Sequence, residues 1–311
     1  MASLACKFKN IKMSNPISNA SGVYSRTGLD LFTMLYSGSG TMITKSCTYN
    51  TRVGNEGLSY WENNQISINS MGLPNYGYKF YTEFINNKTQ PKHCFLSIAN
   101  INNHETGEIL KYINDKDYIS YPEINVSCPN IVGKEQLGYN YKDLEDFLTN
   151  IVDKTYTKPY GLKLPPYFDP VHFKHVAEII SRHPNITYLT CINSVGNALE
   201  VNIEEEAGVI KPKNGLGGLG GNAILPVALS NIYQFKQLLP NLDIIGCGGI
   251  NSGEDIFKHI LVGATFVQIG TALHRNGIIK IKHLTDELRQ IMIEKNYKTL
   301  DDFRGKYNEF A

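Results

Sequence analysis

The chain has 311 residues, 42% of them hydrophobic, which is enough for one large domain with an extensive core. Its 30 Lys and Arg residues are balanced by 29 Asp and Glu residues, so the formal net charge is +1. This balance creates no overall field that would attract nucleic acid or an anionic membrane, and small, locally bound ligands are the expected partners.

Six cysteines stand at positions 6, 47, 94, 128, 191 and 247, without a C-x-x-C pair or a His/Cys cluster at metal-ligand spacing. This pattern indicates reduced thiols in a cytosol-like compartment and no iron–sulfur, zinc or other metal site. The first residues lack the apolar region of a signal peptide, and no later stretch has the length of a membrane span. We therefore expect a soluble, cytoplasmic protein.

Strand-like and helix-like segments alternate along the chain. Apolar runs predict strands at 16–20, 41–44, 94–99, 121–126, 160–164, 187–192, 242–246 and 264–269, and helix-like segments lie at 144–152, 170–180, 226–239, 253–261 and 278–294. Eight strands with intervening helices are typical of a TIM (β/α)8 barrel, so we predict an α/β fold with residues 1–311 in a single domain. A doubly wound sheet is the alternative. The long connections 47–92 and 196–225 are expected to cover the C-terminal mouth of the barrel.

The active site of such a barrel lies at the C-terminal ends of the strands, and polar residues or glycines follow the predicted strands there. They are Ala20 and Ser21, Lys45 and Ser46, Asn125 to Asn130, Lys163, Asn193 and Ser194, Cys247 to Gly249, and Gly270 and Thr271. The glycines after strands 7 and 8 stand where this fold usually binds phosphate, and a third glycine cluster lies at 215–221. Together they favour a phosphorylated cofactor, although a flexible surface loop also explains residues 211–221.

Two side-chain types at these strand ends suggest chemistry. Lys45 and Lys163 would stabilise the reduced, anionic form of an electron-storing cofactor such as a flavin, although lysines at strand ends more often extend to solvent. Cys128 follows an apolar strand that must end before Pro129, and asparagines flank it on both sides. A thiol among amides suits proton abstraction next to a carbonyl, whereas a lone cysteine is more often a small buried hydrophobe.

Several motifs closely resemble those of the dihydroorotate dehydrogenases of cytosolic class 1A. They occur in the same order and span nearly the whole chain: NSMGLPN at 69–75, NVSCPN at 125–130, GK at 133–134, LPPYFD at 164–169 with HF at 172–173, NSVGN at 193–197, KPK at 211–213 and FRGK at 303–306. The cysteine in NVSCPN indicates class 1, because class 2 enzymes have serine there. NSMGLPN and the GK loop favour class 1A over class 1B.

The resemblance implies FMN as cofactor and assigns the site residues. FMN would contact Ala20, Ser21, Lys45, Ser46, Asn125, Lys163, Gly221, Cys247, Gly248, Gly249, Gly270 and Thr271. Dihydroorotate would be bound by Lys45, Asn69, Met71, Gly72, Leu73, Asn125, Asn130, Asn193 and Ser194. Cys128 would remove a proton from C5 while C6 delivers a hydride to the flavin, and fumarate would then reoxidise the flavin in the same site. The family also implies a homodimer.

The chain departs from the family pattern in two loops. Where class 1A sequences commonly read GNPEPRY, residues 54–60 read GNEGLSY and lose two prolines and an arginine, and residues 131–135 lose prolines beside Cys128. Loop rigidity and acceptor choice are therefore open. Two alternatives remain: another FMN-barrel pyrimidine oxidoreductase, or a barrel that binds flavin or orotate without turnover.

Overall fold

A computed structural model describes residues 2–87, 91–128 and 135–308. Its strands are β1 (Cys6–Phe8), β2 (Ile11–Met13), β3 (Ile17–Asn19), β4 (Met42–Ile43), β5 (Tyr60–Glu62), β6 (Ile66–Asn69), β7 (Cys94–Phe95), β8 (Ser97–Ala99), β9 (Glu123–Asn125), β10 (Tyr160–Lys163), β11 (Ile186–Cys191), β12 (Val195–Ala198), β13 (Val201–Asn202), β14 (Ala207–Gly208), β15 (Gly217–Gly221), β16 (Asp243–Cys247) and β17 (Ala264–Ile269). Each of the eight strands predicted from apolar runs is present. The prediction of a TIM barrel is confirmed.

Helices lie between successive barrel strands. They are α1 (Gly28–Leu35), α2 (Tyr78–Ile85), α3 (Asn103–Asn114), α4 (Tyr141–Phe147), α5 (Asp153–Thr155), α6 (Pro170–Ser181), α7 (Leu225–Leu238), α8 (Gly253–Leu261), α9 (Thr271–Asn276) and α10 (Ile279–Glu294). The helix predicted at 144–152 is in fact two segments, because α4 passes into a π-helical turn, Leu148–Val152. None of the helices in the described ranges combines the length and apolar character needed to cross a bilayer.

Seven parallel strands form a curled sheet in the order β3-β17-β16-β11-β10-β9-β8. The segment of β4, which pairs with β7, fills the gap between the edge strands β3 and β8, and Cys47 just beyond β4 bridges to Ile98 in β8. Between β3 and β4 a side chain completes the closure: the Asn19 Nδ2 donates to the Ile43 carbonyl at 2.9 Å, and the Ile43 N–H donates to the Asn19 Oδ1 at 2.9 Å. A doubly wound sheet would leave its two edge strands apart, so this contact excludes the alternative.

The N-terminal end of the barrel is closed by the hairpin of β1 and β2. Phe8 of this hairpin is fully buried and makes edge-to-face contacts with four rings, those of Phe95, Tyr121, Tyr188 and Phe266, at centroid distances of 5.2–5.7 Å. Aromatic pairs at such separations add to the free energy gained by burying their surface. The hairpin therefore seals the end of the barrel opposite the strand ends that carry the candidate site residues.

Two long connections cover the other end, as predicted. They form an antiparallel sheet in the order β12-β15-β6-β5. The glycine-rich segment, for which a flexible loop was the alternative, is strand β15, with Gly218 opposite Asn69. A Cβ on Gly218 would lie 2.1 Å from the Ser194 Oγ, so glycine is required for this close approach.

Candidate active site

The mouth of the barrel holds a cavity of about 280 Å³ between the strand ends and the covering sheet. Its lining includes most of the residues expected at the site: Ala20, Ser21, Lys45, Ser46, Asn69, Met71, Leu73, Asn125, Cys128, Lys163, Asn193, Ser194, Gly221, Cys247, Gly248, Gly249, Gly270 and Thr271. Gly72 does not line it, although both of its neighbours do. Asn130 lies outside the described residues, as do Gly133 and Lys134.

Cys128 is half-buried at the edge of this cavity, just beyond strand β9. The backbone before it is fixed, because the Ser127 N–H and hydroxyl both donate to the Asn125 Oδ1, at 3.0 and 3.1 Å. Asn193, at the end of β11, donates from Nδ2 to the Ser127 carbonyl and hydroxyl at 2.9 Å. The ends of β9 and β11, which are separated in the sheet by β10, thus hold the segment that presents the thiol.

The remaining cysteines have a different environment. Burial raises the pKa of Cys47, Cys94, Cys191 and Cys247 above the usual range, and it raises the pKa of Cys6 to about 12. A buried thiol with a raised pKa stays protonated and unreactive at neutral pH.

Lys45 lies at the end of β4 and faces the cavity. Burial lowers the pKa of its ammonium to about 8, an effect that Cys128 opposes and that Lys163 and Arg26 reinforce. A lysine in this state responds strongly to an anion placed beside it, because the anion favours the charged form. Lys45 is therefore suited to bind a carboxylate in the cavity.

Lys163 is more deeply placed, with only 3% of the residue exposed. Its Nζ donates to the Oε1 of Gln268 at 3.2 Å, at the floor of the cavity. The two lysines therefore bring two cationic side chains to one enclosed space. Such an arrangement is stable when anionic groups lie nearby.

Amide side chains line the cavity between the lysines and the thiol. The Asn69 Nδ2 donates to the Gly218 carbonyl at 3.1 Å, and the Asn193 Nδ2 approaches the Asn125 Oδ1 at 3.3 Å. The Ser194 N–H donates to the Asn193 Oδ1 at 2.9 Å, which fixes the orientation of that amide. Oriented amides suit a planar ligand with alternating donors and acceptors.

The altered loop at 54–60 is held against the NSMGLPN loop by hydrogen bonds. The Asn55 N–H donates to the Met71 carbonyl at 2.9 Å, its Nδ2 donates to the Ser70 carbonyl at 2.8 Å, and the Ser70 N–H donates to the Ser59 carbonyl at 2.8 Å. These bonds anchor the loop without the prolines of the family pattern. Ser59, at the position of the family's arginine, contacts Met71 Sδ at 3.4 Å.

The other end of the cavity is a cradle of glycines. Gly248 and Gly249 have φ of +124° and +81°, and a Cβ on Gly249 would lie 2.3 Å from the Cα of Leu225. Across the cradle, α9 begins at Thr271, whose hydroxyl is 2.8 Å from the Ser67 Oγ. Backbone that approaches this closely, without side chains in the way, fits a phosphate group.

The sequence analysis missed His274 and Gln268, two polar residues of the cavity lining. His274 lines the cavity one turn beyond Thr271, with its ring centroid 4.4 Å from that of Tyr60. Gln268 lies in β17, the last barrel strand. His274 could have been found from its position three residues after Thr271 at the start of a helix, and Gln268 from its polarity within an apolar run.

A barrel with a glycine cradle after its last two strands is typical of barrel enzymes that bind a phosphate-bearing ligand at the mouth. The family profile of dihydroorotate dehydrogenase matches residues 3–292. The chain belongs to the dihydroorotate dehydrogenase family, whose members are generally flavin-dependent.

Similar proteins agree with this membership. A protein of Streptococcus pyogenes serotype M3 named as dihydroorotate dehydrogenase A (fumarate) is 46% identical over 309 residues, which cover 98% of each chain. Proteins of the same name from Streptococcus equi and Streptococcus pneumoniae are 46% and 42% identical over 310 residues, again with 98% of each chain covered. The crystal structure of DHODH from Eimeria tenella in complex with ferulenol has a similar fold, with a TM-score of 0.73 and 18% identity over 97% of this chain and 88% of that chain.

Proposed function

We propose that the chain oxidises dihydroorotate to orotate at an FMN bound in the cavity and passes the electrons to fumarate. Residues 1–311 would act as one FMN-binding domain of a cytoplasmic homodimer. The observation that carries the proposal is the convergence of a thiol, two lysines and several oriented amides on one cavity that also contains a glycine cradle. The names of the relatives supply the substrate and the acceptor.

The residues present fit FMN. The backbone at Gly221, Gly248, Gly249, Gly270 and Thr271 would hold the phosphate, and Cys247 lies beside this cradle. Ala20, Ser21, Ser46, Asn125 and Lys163 would line the ribityl chain and the ring system. When bound, the flavin supplies an acceptor for the hydride of the substrate and later a donor for the second reactant.

Dihydroorotate has a carboxylate and a ring with amide edges, and the cavity offers a partner for each. Lys45 would bind the carboxylate, and Asn69, Asn125, Asn193 and Ser194 would pair with the ring amides. Backbone N–H groups of Met71, Gly72 and Leu73 would complete the carboxylate site. These contacts would present C6 of the substrate to the flavin and C5 to Cys128.

Cys128 would remove the proton from C5. Loss of this proton and of the hydride from C6 leaves the C5–C6 double bond of orotate. A thiol with an unperturbed pKa of about 8.5 supplies a usable thiolate fraction at neutral pH. Fumarate, a dicarboxylate, would use the same lysine after orotate has left, and with one hydride and one proton it gives succinate.

An anaerobic absorbance experiment tests the proposal. The purified protein should show a flavin band that bleaches with dihydroorotate and returns with fumarate. If dihydroorotate bleaches the band but fumarate does not restore it, fumarate is the wrong acceptor. A protein that binds orotate without any bleaching would be a non-catalytic binding barrel, whereas bleaching only by another reduced pyrimidine would indicate a different oxidoreductase of this fold.

A further inference from the structure

A buried carboxyl group lies in the barrel interior beneath the candidate flavin site. Glu123, in β9, is fully buried, and three donors meet its two oxygens. The hydroxyl of Thr190 donates to Oε2 at 2.7 Å, the Nε2 of Gln268 donates to Oε2 at 3.1 Å, and the hydroxyl of Ser97 donates to Oε1 at 3.4 Å. Because all three partners donate, this environment fits an ionised carboxylate, which only accepts hydrogen bonds.

Gln268 connects this carboxylate to the flavin site. Its Nε2 donates to Glu123, and its Oε1 accepts from the Lys163 Nζ at 3.2 Å. Both ends of the amide are therefore used, and the amide cannot rotate without losing two bonds at once. Gln268 also lines the cavity, so the series Glu123, Gln268, Lys163 runs from the barrel interior to the cavity floor.

A second arm of the same network runs through hydroxyl groups. The Ser97 hydroxyl, which donates to Glu123, is 2.9 Å from the Ser46 Oγ, and the Ser46 Oγ is 3.0 Å from the Ser21 Oγ. Ser21 and Ser46 both line the cavity. One buried carboxylate thus orients the lysine on one side and two hydroxyls on the other.

The charges explain why a carboxylate belongs here. Lys163 is 3% exposed, and a buried ammonium costs free energy unless an opposite charge or hydrogen bonds compensate it. Glu123 supplies that opposite charge across a single amide. Reduction of a flavin adds negative charge, which a nearby cation favours and a nearby anion opposes. Glu123 therefore offsets part of the stabilisation that Lys163 would give to the reduced, negatively charged flavin.

We propose that Glu123 is a positioning residue that fixes Lys163 through Gln268 and keeps the midpoint potential of the bound flavin low. A low potential makes the reduced flavin a better donor to the second reactant. This inference rests on the proposed FMN site, but it does not depend on which molecule reduces the flavin.

The test compares midpoint potentials of the purified flavoprotein, measured by chemical reduction in the presence of a reference dye. Glu123→Gln keeps the shape of the side chain but removes the charge and replaces one accepting oxygen with an NH2 group. The equilibrium constant for flavin reduction should rise at least tenfold, a positive shift of about 30 mV for a two-electron couple. Glu123→Asp restores the charge and should bring the equilibrium constant back to within about threefold of the parent value.

A neutral substitution in the same layer serves as the matched control. Ser18 is 1% exposed, pairs in register with Gln268, and its hydroxyl has no partner among the described residues. Ser18→Ala should leave the equilibrium constant within about threefold of the parent value. A folded, flavin-loaded Glu123→Gln protein with an unchanged potential, or an equal shift in Ser18→Ala, overturns the proposal.

If Glu123→Gln yields no folded flavoprotein, Glu123→Met tests the same relationship with the same sign, because it removes the charge with an apolar side chain of similar size. The equilibrium constant should again rise at least tenfold, and an unchanged or lowered constant overturns the proposal. Because a chemical reductant is used, failure of dihydroorotate to bleach the parent flavin would contradict the proposed function alone. A parent protein that binds no flavin would contradict both.

Discussion

Asn193 and Ser127 are joined by two hydrogen bonds of 2.9 Å, from the Asn193 Nδ2 to the carbonyl and to the hydroxyl of Ser127. Asn193 lies just beyond β11, whereas Ser127 lies just beyond β9 and directly before Cys128 in the chain. The amide that is expected to bind the substrate is therefore also the group that fixes the backbone carrying the expected base. Substrate binding and the position of the thiol are coupled through one side chain.

Replacing Asn193 by Ala should impair both roles. Loss of hydrogen bonds to a buried loop costs about 1–3 kcal/mol, so kcat/KM for dihydroorotate should fall roughly 10 to 100-fold. Stopped-flow reduction would show slower bleaching even at saturating substrate, because the thiol is displaced. A variant with a raised KM and an unchanged rate of reduction would show that Asn193 only binds the substrate.

Replacing Cys128 by Ala should remove the general base. The rate of flavin reduction by dihydroorotate should fall about 100 to 10,000-fold, while reduction by dithionite remains normal. Cys6→Ala is a matched control, since Cys6 lies in the hairpin at the opposite end of the barrel. In the parent protein the reduction rate should rise with pH toward the thiol pKa. A flat rate from about pH 6 to 9 would contradict the assignment.

Orotate binding should weaken at alkaline pH. Burial lowers the pKa of Lys45 to about 8, so the free protein loses this positive charge as the pH rises through that value. A bound carboxylate favours the charged lysine, and the dissociation constant should therefore increase up to about tenfold per pH unit above pH 8. Titration of the flavin spectrum with orotate measures this effect. Lys45→Met should bind weakly at every pH and lose the alkaline dependence; retention of that dependence would exclude Lys45 as its source.

Adding a methyl group to the glycine cradle should release the cofactor. Gly249 has a φ of +81°, and its Cβ would lie 2.3 Å from the Leu225 Cα, so Gly249→Ala requires the backbone to move. The strain amounts to about 1–3 kcal/mol, and we expect weaker FMN retention during gel filtration. Gly28→Ala is the control, because no atom lies within 4 Å of its Cβ. Equal FMN content in both variants would contradict a cradle at Gly249.

Buried histidines should make the fold sensitive to mild acid. Burial lowers the pKa of His93 and of His259 to about 4, against about 6.5 in the unfolded chain. Their stabilising contribution is complete above pH 6.5 and is lost as the pH falls toward 4. Within this window each histidine lowers the free energy of unfolding by up to about 1.4 kcal/mol per pH unit. The free energy of unfolding, measured with urea between about pH 7.5 and 5, should fall less steeply with decreasing pH in His259→Gln than in the parent protein. Equal slopes of free energy against pH would exclude His259 as a source of this dependence.

The barrel strands were predictable because a strand covered on both faces is a continuous apolar run, such as residues 264–269. The same reasoning missed β15, since Gly217–Gly221 has no side chains to show a strand pattern and its extended form depends on pairing with β6. Glu123 and Gln268 were missed for a related reason. A polar residue within an apolar run acquires its meaning only when other strands bring its partners near, as Thr190 and Lys163 do here.

The ring contacts of Phe8 at the N-terminal end of the barrel also bear on how the chain folds during synthesis. Phe8 is synthesised well before Phe266, one of its four ring partners, because almost the whole barrel sequence lies between them. Until β17 has been made, the apolar face of the hairpin therefore lacks one of the rings that cover it. Apolar surface exposed in this way promotes aggregation, so we expect the chain to be most prone to aggregate before β17 has been made.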